Sequence, residues 1–281
     1  MFSSVLCYPI WQGAGHRHGY AAGAQILRRL AAAHHAVVDV PVLTDDFSPA
    51  VRGVKALETL QRHFELFNML LDHTAAPLML LGGDCVADYL PIAHNLARHG
   101  DQLALVWVDA HPDINTPASS PSGNFHGMLL RALMGEGPPE MVAFVKRKLT
   151  AKQLFYVGLR DPDPEEVRFL AEQGIFSLSV EDAERGNVQP LLSAIHKAGC
   201  NIVHLHVDSD VMSLDAYPQA AVPVAGGLSV DVLVRLLQAV RAHYPLAGAA
   251  LTEYSLERGV SPADEALAAR LLTDGFGFSR A

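Results

Sequence analysis

Asp109-Ala110-His111-Pro112-Asp113 directly follows the apolar run Leu103 to Val108, and Asp208-Ser209-Asp210 directly follows Ile202 to Val207. Side chains two apart share a face of an extended strand. If the strand continues that far, Asp109, His111 and Asp113 point one way, and so do Asp208 and Asp210. Carboxylates packed this closely repel one another and titrate upward; divalent cations remove that cost. Oxygen donors with one imidazole suit Mn²⁺ or Mg²⁺ better than a structural zinc site, which favours Cys and His. Two such ions roughly 3.5–4 Å apart can share a water and lower its pKa to near neutrality. The chemistry to expect is metal-assisted hydrolysis.

The elements that would position these groups follow a β-α-β rhythm. Candidate strands are Ser4–Ile10, Ala36–Val40, Pro77–Leu81, Leu103–Val108, Gln153–Gly158, Ile175–Leu178, Asn201–Val207 and Leu246–Leu251. Helical patterns fall at Tyr20–His34, Val51–His73, Val86–His99, Pro164–Gln173, Val188–Ala198, Val230–His243 and Pro262–Leu272. The alternation predicts an α/β fold: a mostly parallel sheet of about eight strands between two layers of helices. No internal repeat, low-complexity tract or long linker divides the 281 residues, so one domain over 1–281 is expected. In open parallel sheets ligands bind beyond the carboxyl ends of the strands. Both acidic motifs, Gly82-Gly83-Asp84-Cys85 and Glu253 all fall at such ends, and the irregular stretch Ala110 to Phe125 is long enough to be functional.

Composition narrows the partners. A formal charge of −9 argues against nucleic acid or an anionic membrane surface. Cys7, Cys85 and Cys200 are scattered and odd in number, which fits a reducing, cytoplasmic setting rather than a disulfide framework. The first residues lack the basic flank of a signal peptide, and no apolar run approaches the ~20 residues of a membrane span.

The stretch from Trp107 through Asp109-Ala110-His111-Pro112-Asp113-Ile114-Asn115 to Ser122-Gly123-Asn124-Phe125-His126-Gly127 closely resembles the central signature of arginases. Gly82-Gly83-Asp84, the segment Val157 to Pro164 and the segment Pro223 to Leu228 resemble further arginase segments in the same order. By this resemblance the chain is identified as a member of the ureohydrolase (arginase/agmatinase) family, whose members bind two metal ions, with manganese expected here, and tend to form homo-oligomers. The resemblance implies that Asp109 and Asp208 bridge the metals. Asp113 and position 85 would complete the first site, His111 and Asp210 the second. It implies His126 as acid/base and Glu253 facing a guanidinium. Asn115, Ser120 and Ser122 would hold an α-carboxylate; Asp163 and Glu166 would hold an α-amino group. The implied substrate is thus an L-arginine-type amino acid rather than a bare amine. Outside that resemblance His126 would read as a cap or surface residue, and Asp163 and Glu166 as ordinary acids at a helix N-terminus.

Two departures from the family pattern stand out. Cys85 occupies a position that is normally His, and Asp208-Ser209-Asp210-Val211-Met212-Ser213-Leu214 replaces a D-x-D-x-x-D-P pattern. A thiolate at position 85 adds negative charge, makes a shared water harder to deprotonate and favours softer metals than Mn²⁺. The expectation is weak metal retention at the first site and a preference for N-hydroxy-L-arginine, cleaved to hydroxyurea and L-ornithine, over unmodified L-arginine. Alternatives are an ordinary arginase, or a non-catalytic relative that binds metal or amino acid. Gly13-x-Gly15 after the first strand gives a weaker case for a dinucleotide-binding oxidoreductase, since His18 stands where the third glycine belongs. His16 and His18 read as loop residues near the mouth of the site.

Overall fold

The computed structural model describes residues 2–214 and 217–278. Its eight strands are β1 (Ser4–Tyr8), β2 (Val37–Asp39), β3 (Leu78–Gly82), β4 (Leu103–Val108), β5 (Leu154–Val157), β6 (Phe176–Leu178), β7 (Ile202–Asp208) and β8 (Leu246–Thr252). They form one sheet in the order β2-β1-β3-β8-β7-β4-β5-β6, with every pairing parallel. The helices are α1 (Gly19–Ala31), α2 (Leu57–Leu71), α3 (Tyr89–His99), α4 (Leu129–Leu133), α5 (Pro139–Val142), α6 (Pro164–Gln173), α7 (Val180–Glu184), α8 (Gln189–Lys197), α9 (Val230–His243) and α10 (Pro262–Arg270).

Alternation along the strands splits the core in two. Ala104, Val106 and Val108 of β4, with Val203, Leu205 and Val207 of β7, face one apolar cluster that includes Leu27 of α1 and Leu233 of α9. Leu103, Leu105 and Trp107 face the other, with Phe64 of α2 and Leu96 of α3. The expected three-layer αβα arrangement is therefore present. The central strands β3 and β4 are buried throughout, as a sheet covered on both faces requires.

Two local expectations differ from the structure. The helix read from Val51 begins only at Leu57. Val51 pairs with Val54 across a tight turn in which Arg52 and Gly53 adopt positive φ, as does Ala56 just before the helix, and a left-handed residue cannot continue a right-handed helix. Strand β4 ends at Val108, so Asp109, His111 and Asp113 are not aligned by strand periodicity. Asp109 instead accepts the His111 backbone N–H at 2.6 Å, and Asp113 turns into the left-handed region at φ 51°.

Among the described helices none is long and apolar enough to cross a membrane. All three cysteines are free and buried.

Candidate metal centre and active site

Four neighbouring strands, β3, β8, β7 and β4, deliver the acidic motifs to one edge of the sheet. Register aligns them: Val108 lies beside Val207, and Asp208 beside Thr252. Asp109, Asp208 and Glu253 therefore emerge within one residue of each other along the sheet edge. The Gly82-Gly83 step brings the next segment in close. Gly83 donates to Tyr8 O and Asp84 to Ile10 O, and a Cβ on Gly83 would lie 1.9 Å from the Ile10 oxygen. Asp84 then accepts from Val86 N and Ala14 N, which opens the 3-10 turn Cys85–Asp88 and points Cys85 inward.

Three groups of donors converge. Asp109, His111 and Asp210 offer atoms within 4.8 Å of one another, as do Cys85, Asp208 and Glu253, and Cys85, Asp109 and His206. The Cys85 thiol lies 3.1 Å from Asp208 Oδ2 and 3.3 Å from His206 Nε2. Asp113 is buried and lines the same cavity but joins none of these three groups.

The electrostatics show a cluster that calls for positive charge. Burial, and then Asp210, raise the Asp109 carboxyl to about 7. Burial, and then Asp210, push Asp208 well above the carboxylate range; burial and Asp109 do the same to Asp113. The Cys85 thiol is raised by burial and by Asp208. Burial works to lower His111, but Asp109 and Asp210 beside it win and raise it. Among the described residues the second Asp210 oxygen, Oδ2, has one close polar neighbour, His111 Nδ1 at 2.8 Å. Buried oxygens that repel each other fit divalent cations, which these donors would hold; among the described residues no Lys or Arg forms an ion pair with them, and Arg160 donates to the Asp210 backbone oxygen rather than to its carboxylate.

Glu253 is treated differently. Burial would raise its pKa, but His126, together with the Tyr20 hydroxyl and the Cys85 backbone N–H, outweighs burial and holds it at about 2. His126 Nδ1 lies 2.9 Å from Oε1, and the Tyr20 hydroxyl of α1 donates to Oε2. The Glu253 backbone sits at φ 58°, the kind of strain found where a site over-determines its geometry.

A cavity of about 280 Å³ opens over these groups, lined among others by His111, Asp113, His126, Glu253 and Arg17. Asn115, Ser120, Ser122, Asp163 and Glu166 line its outer wall. Asn115 Nδ2 donates to Asp163 Oδ2 at 2.9 Å, tying the two expected subsites together. Glu166 accepts Ile114 N at Oε1 and Asp163 N at Oε2, so each oxygen keeps a single lone pair for a ligand.

Tyr20 and His206 were not singled out in the sequence. His206 alternates with Asp208 on β7, a signal that its place in an apolar strand concealed. Tyr20 reaches Glu253 through helix packing, for which no local motif exists. His16 packs on Phe47 and His18 on Trp11, while Arg17 between them faces the cavity. Gly13 lies in a 3-10 turn, Gln12–Ala14, packed against the Asp84-Cys85-Val86 segment: a Cβ there would lie 2.3 Å from Val86 Cγ1 and 2.8 Å from Asp84 Oδ2.

Residues 4–277 match the sequence profile described as Arginase family. The arginase of Neurospora crassa is 39% identical over 140 residues, covering 47% of this chain and 39% of that protein. The arginase of Entamoeba histolytica is 29% identical over 183 residues, covering 64% of this chain and 59% of that protein. Both alignments thus span less than two thirds of the relatives' length. The crystal structure of the E. histolytica arginase in complex with L-ornithine superimposes with a TM-score of 0.86 at 24% identity, covering 98% of each chain.

Proposed function

Because the chain belongs to the arginase family, we propose that it is a binuclear-metal amidinohydrolase that splits the guanidino group of an L-arginine-type amino acid. The observation that carries this is the convergence of Asp109, His111, Asp208 and Asp210 beside a Glu253 kept anionic by His126. L-Arginine, giving urea and L-ornithine, is the substrate that the relatives' names favour over the N-hydroxy-L-arginine expected from the sequence.

Two divalent cations, manganese being the expected ion, would offset the carboxylate charge and supply a water of lowered pKa as the nucleophile. Asp109, Asp208, His111 and Asp210 would hold them, with Asp113 and Cys85 on the remaining side. Glu253 Oε1 accepts from the flat guanidinium through charge-assisted hydrogen bonds, while Tyr20 keeps the carboxylate oriented through Oε2. Asn115, Ser120 and Ser122 hold the substrate carboxylate; Asp163 and Glu166 hold its ammonium. Hydrolysis adds water at the guanidino carbon and breaks its bond to the chain nitrogen. That nitrogen cannot leave as an anion, so it takes a proton, which Asp113 accepts from the added water and passes on. His126, exposed enough to reach the cavity, returns a proton to solvent.

Cys85 favours a second reading. Its thiol is buried against Asp208, and the extra negative charge it brings as thiolate favours the less basic N-hydroxyguanidine. Steady-state kinetics of the manganese-loaded protein on L-arginine and N-hydroxy-L-arginine test both readings. A higher kcat/KM on L-arginine supports the first and removes the second. Absence of L-ornithine from either substrate removes both.

A further inference from the structure

We propose that His206 Nε2 is a metal donor, completing with Cys85 Sγ, Asp109 and Asp208 a mixed sulfur, nitrogen and oxygen site for a borderline cation of the zinc or cobalt class. The inference rests on the binuclear reading above and concerns which residues, and which metal, fill its Cys85 side.

Four observations support it. His206 Nε2 lies 3.3 Å from Cys85 Sγ. Donors at about 2.3 Å and 2.0 Å from one tetrahedral zinc stand roughly 3.5 Å apart, so one ion reaches both with small adjustment. His206 Nδ1 lies 2.9 Å from Asp88 Oδ2. A carboxylate on one ring nitrogen keeps the proton there and turns the lone pair of the other outward, as in metal-ligating histidines. Asp88 is itself fixed, because His204 Nε2 lies 2.9 Å from the same oxygen and His204 Nδ1 pairs with Asn95 Nδ2 at 2.9 Å. Finally, the Trp107 ring stacks on His206 at 3.5 Å and 4°, and its indole N–H donates to Asp109 Oδ2. One side chain thus sets the imidazole plane and a neighbouring carboxylate together.

A purely structural His206 would also find partners, since Nε2 lies 3.3 Å from both the thiol and the Thr252 hydroxyl. The two roles differ in what a metal sees. With His206 as donor the two sites are unlike: Asp109, His111 and Asp210 form a hard site, and Cys85 with His206 forms a softer one that discriminates against Mn²⁺.

The test is X-ray absorption at the cobalt edge on the full chain stripped of metal and reloaded with Co²⁺, alongside cobalt content. The expected result is two cobalt ions per chain with one imidazole per cobalt on average, from His111 and His206. In His206→Gln the average should fall to one imidazole per two cobalts, and affinity for the second equivalent should drop about tenfold or more. Two bound ions with only one imidazole between them in the unmodified chain would overturn the inference and leave the binuclear reading standing. Failure to bind two ions would overturn both.

Discussion

The Tyr20 hydroxyl donates to Glu253 Oε2, so a residue of the first helix holds the anion that follows the last strand. Glu253 Oε1 faces His126 Nδ1 and accepts the Cys85 backbone N–H, and the substrate is expected at this same oxygen. Tyr20→Phe keeps the ring and deletes the donor. Losing a hydrogen bond to a charged group costs about 1.5–3 kcal/mol. We expect kcat/KM to fall by roughly tenfold or more, with metal content unchanged. An unaltered kcat/KM would show that Glu253 needs no such support.

Cys85→His restores a neutral imidazole where the thiol sits against Asp208. Manganese affinity at that side should rise on the order of tenfold, because Mn²⁺ prefers oxygen and imidazole to thiolate. Calorimetric titration of the metal-free protein measures it; identical isotherms would mean that the cysteine only fills space.

Gly83→Ala places a methyl group 1.9 Å from the Ile10 carbonyl oxygen, a backbone atom that cannot turn aside. Overpacking of this kind costs about 1–3 kcal/mol. We expect a lower denaturation midpoint and weaker metal binding together, since the same step aims Cys85. Loss of neither would contradict the close packing described.

His63 adds a pH dependence away from the site. Burial first, and Arg62 second, hold its pKa down to about 4 from an ordinary 6.5, and its Nε2 accepts from Leu43 N. The folded state therefore binds a proton less readily than the unfolded chain. Its contribution is complete above pH 6.5, shrinks as pH falls with about 2 kcal/mol of it lost by pH 5, and is gone once pH passes below about 4. His63→Gln should flatten the slope of Tm against pH between 6.5 and 4. An unchanged slope would assign it to other groups.

Much of this was written locally. Buried strands such as Leu103–Val108 read as unbroken apolar runs, and the Asp109 to Gly127 block carried the resemblance that named most of the candidate residues the structure brings to one cavity. What escaped depended on tertiary packing. Strand periodicity did not align His111 and Asp113, because the backbone leaves the strand at Asp109 and Asp113 turns left-handed. Tyr20 reaches Glu253 across 233 residues of sequence. His206 hides inside a buried strand, and only its contacts with Cys85, Asp88 and Trp107 set it apart.

The most direct measurement is metal content and L-ornithine release in the same preparations of the unmodified chain and of Asp208→Asn. Asp208 links two of the donor groups, lying beside Cys85 and accepting the Asp210 backbone N–H. The unmodified chain should retain two divalent ions and release L-ornithine from L-arginine or its N-hydroxy form. Asp208→Asn should lose at least one ion and about a hundredfold or more in kcat. Full metal retention and undiminished turnover in Asp208→Asn would contradict the account.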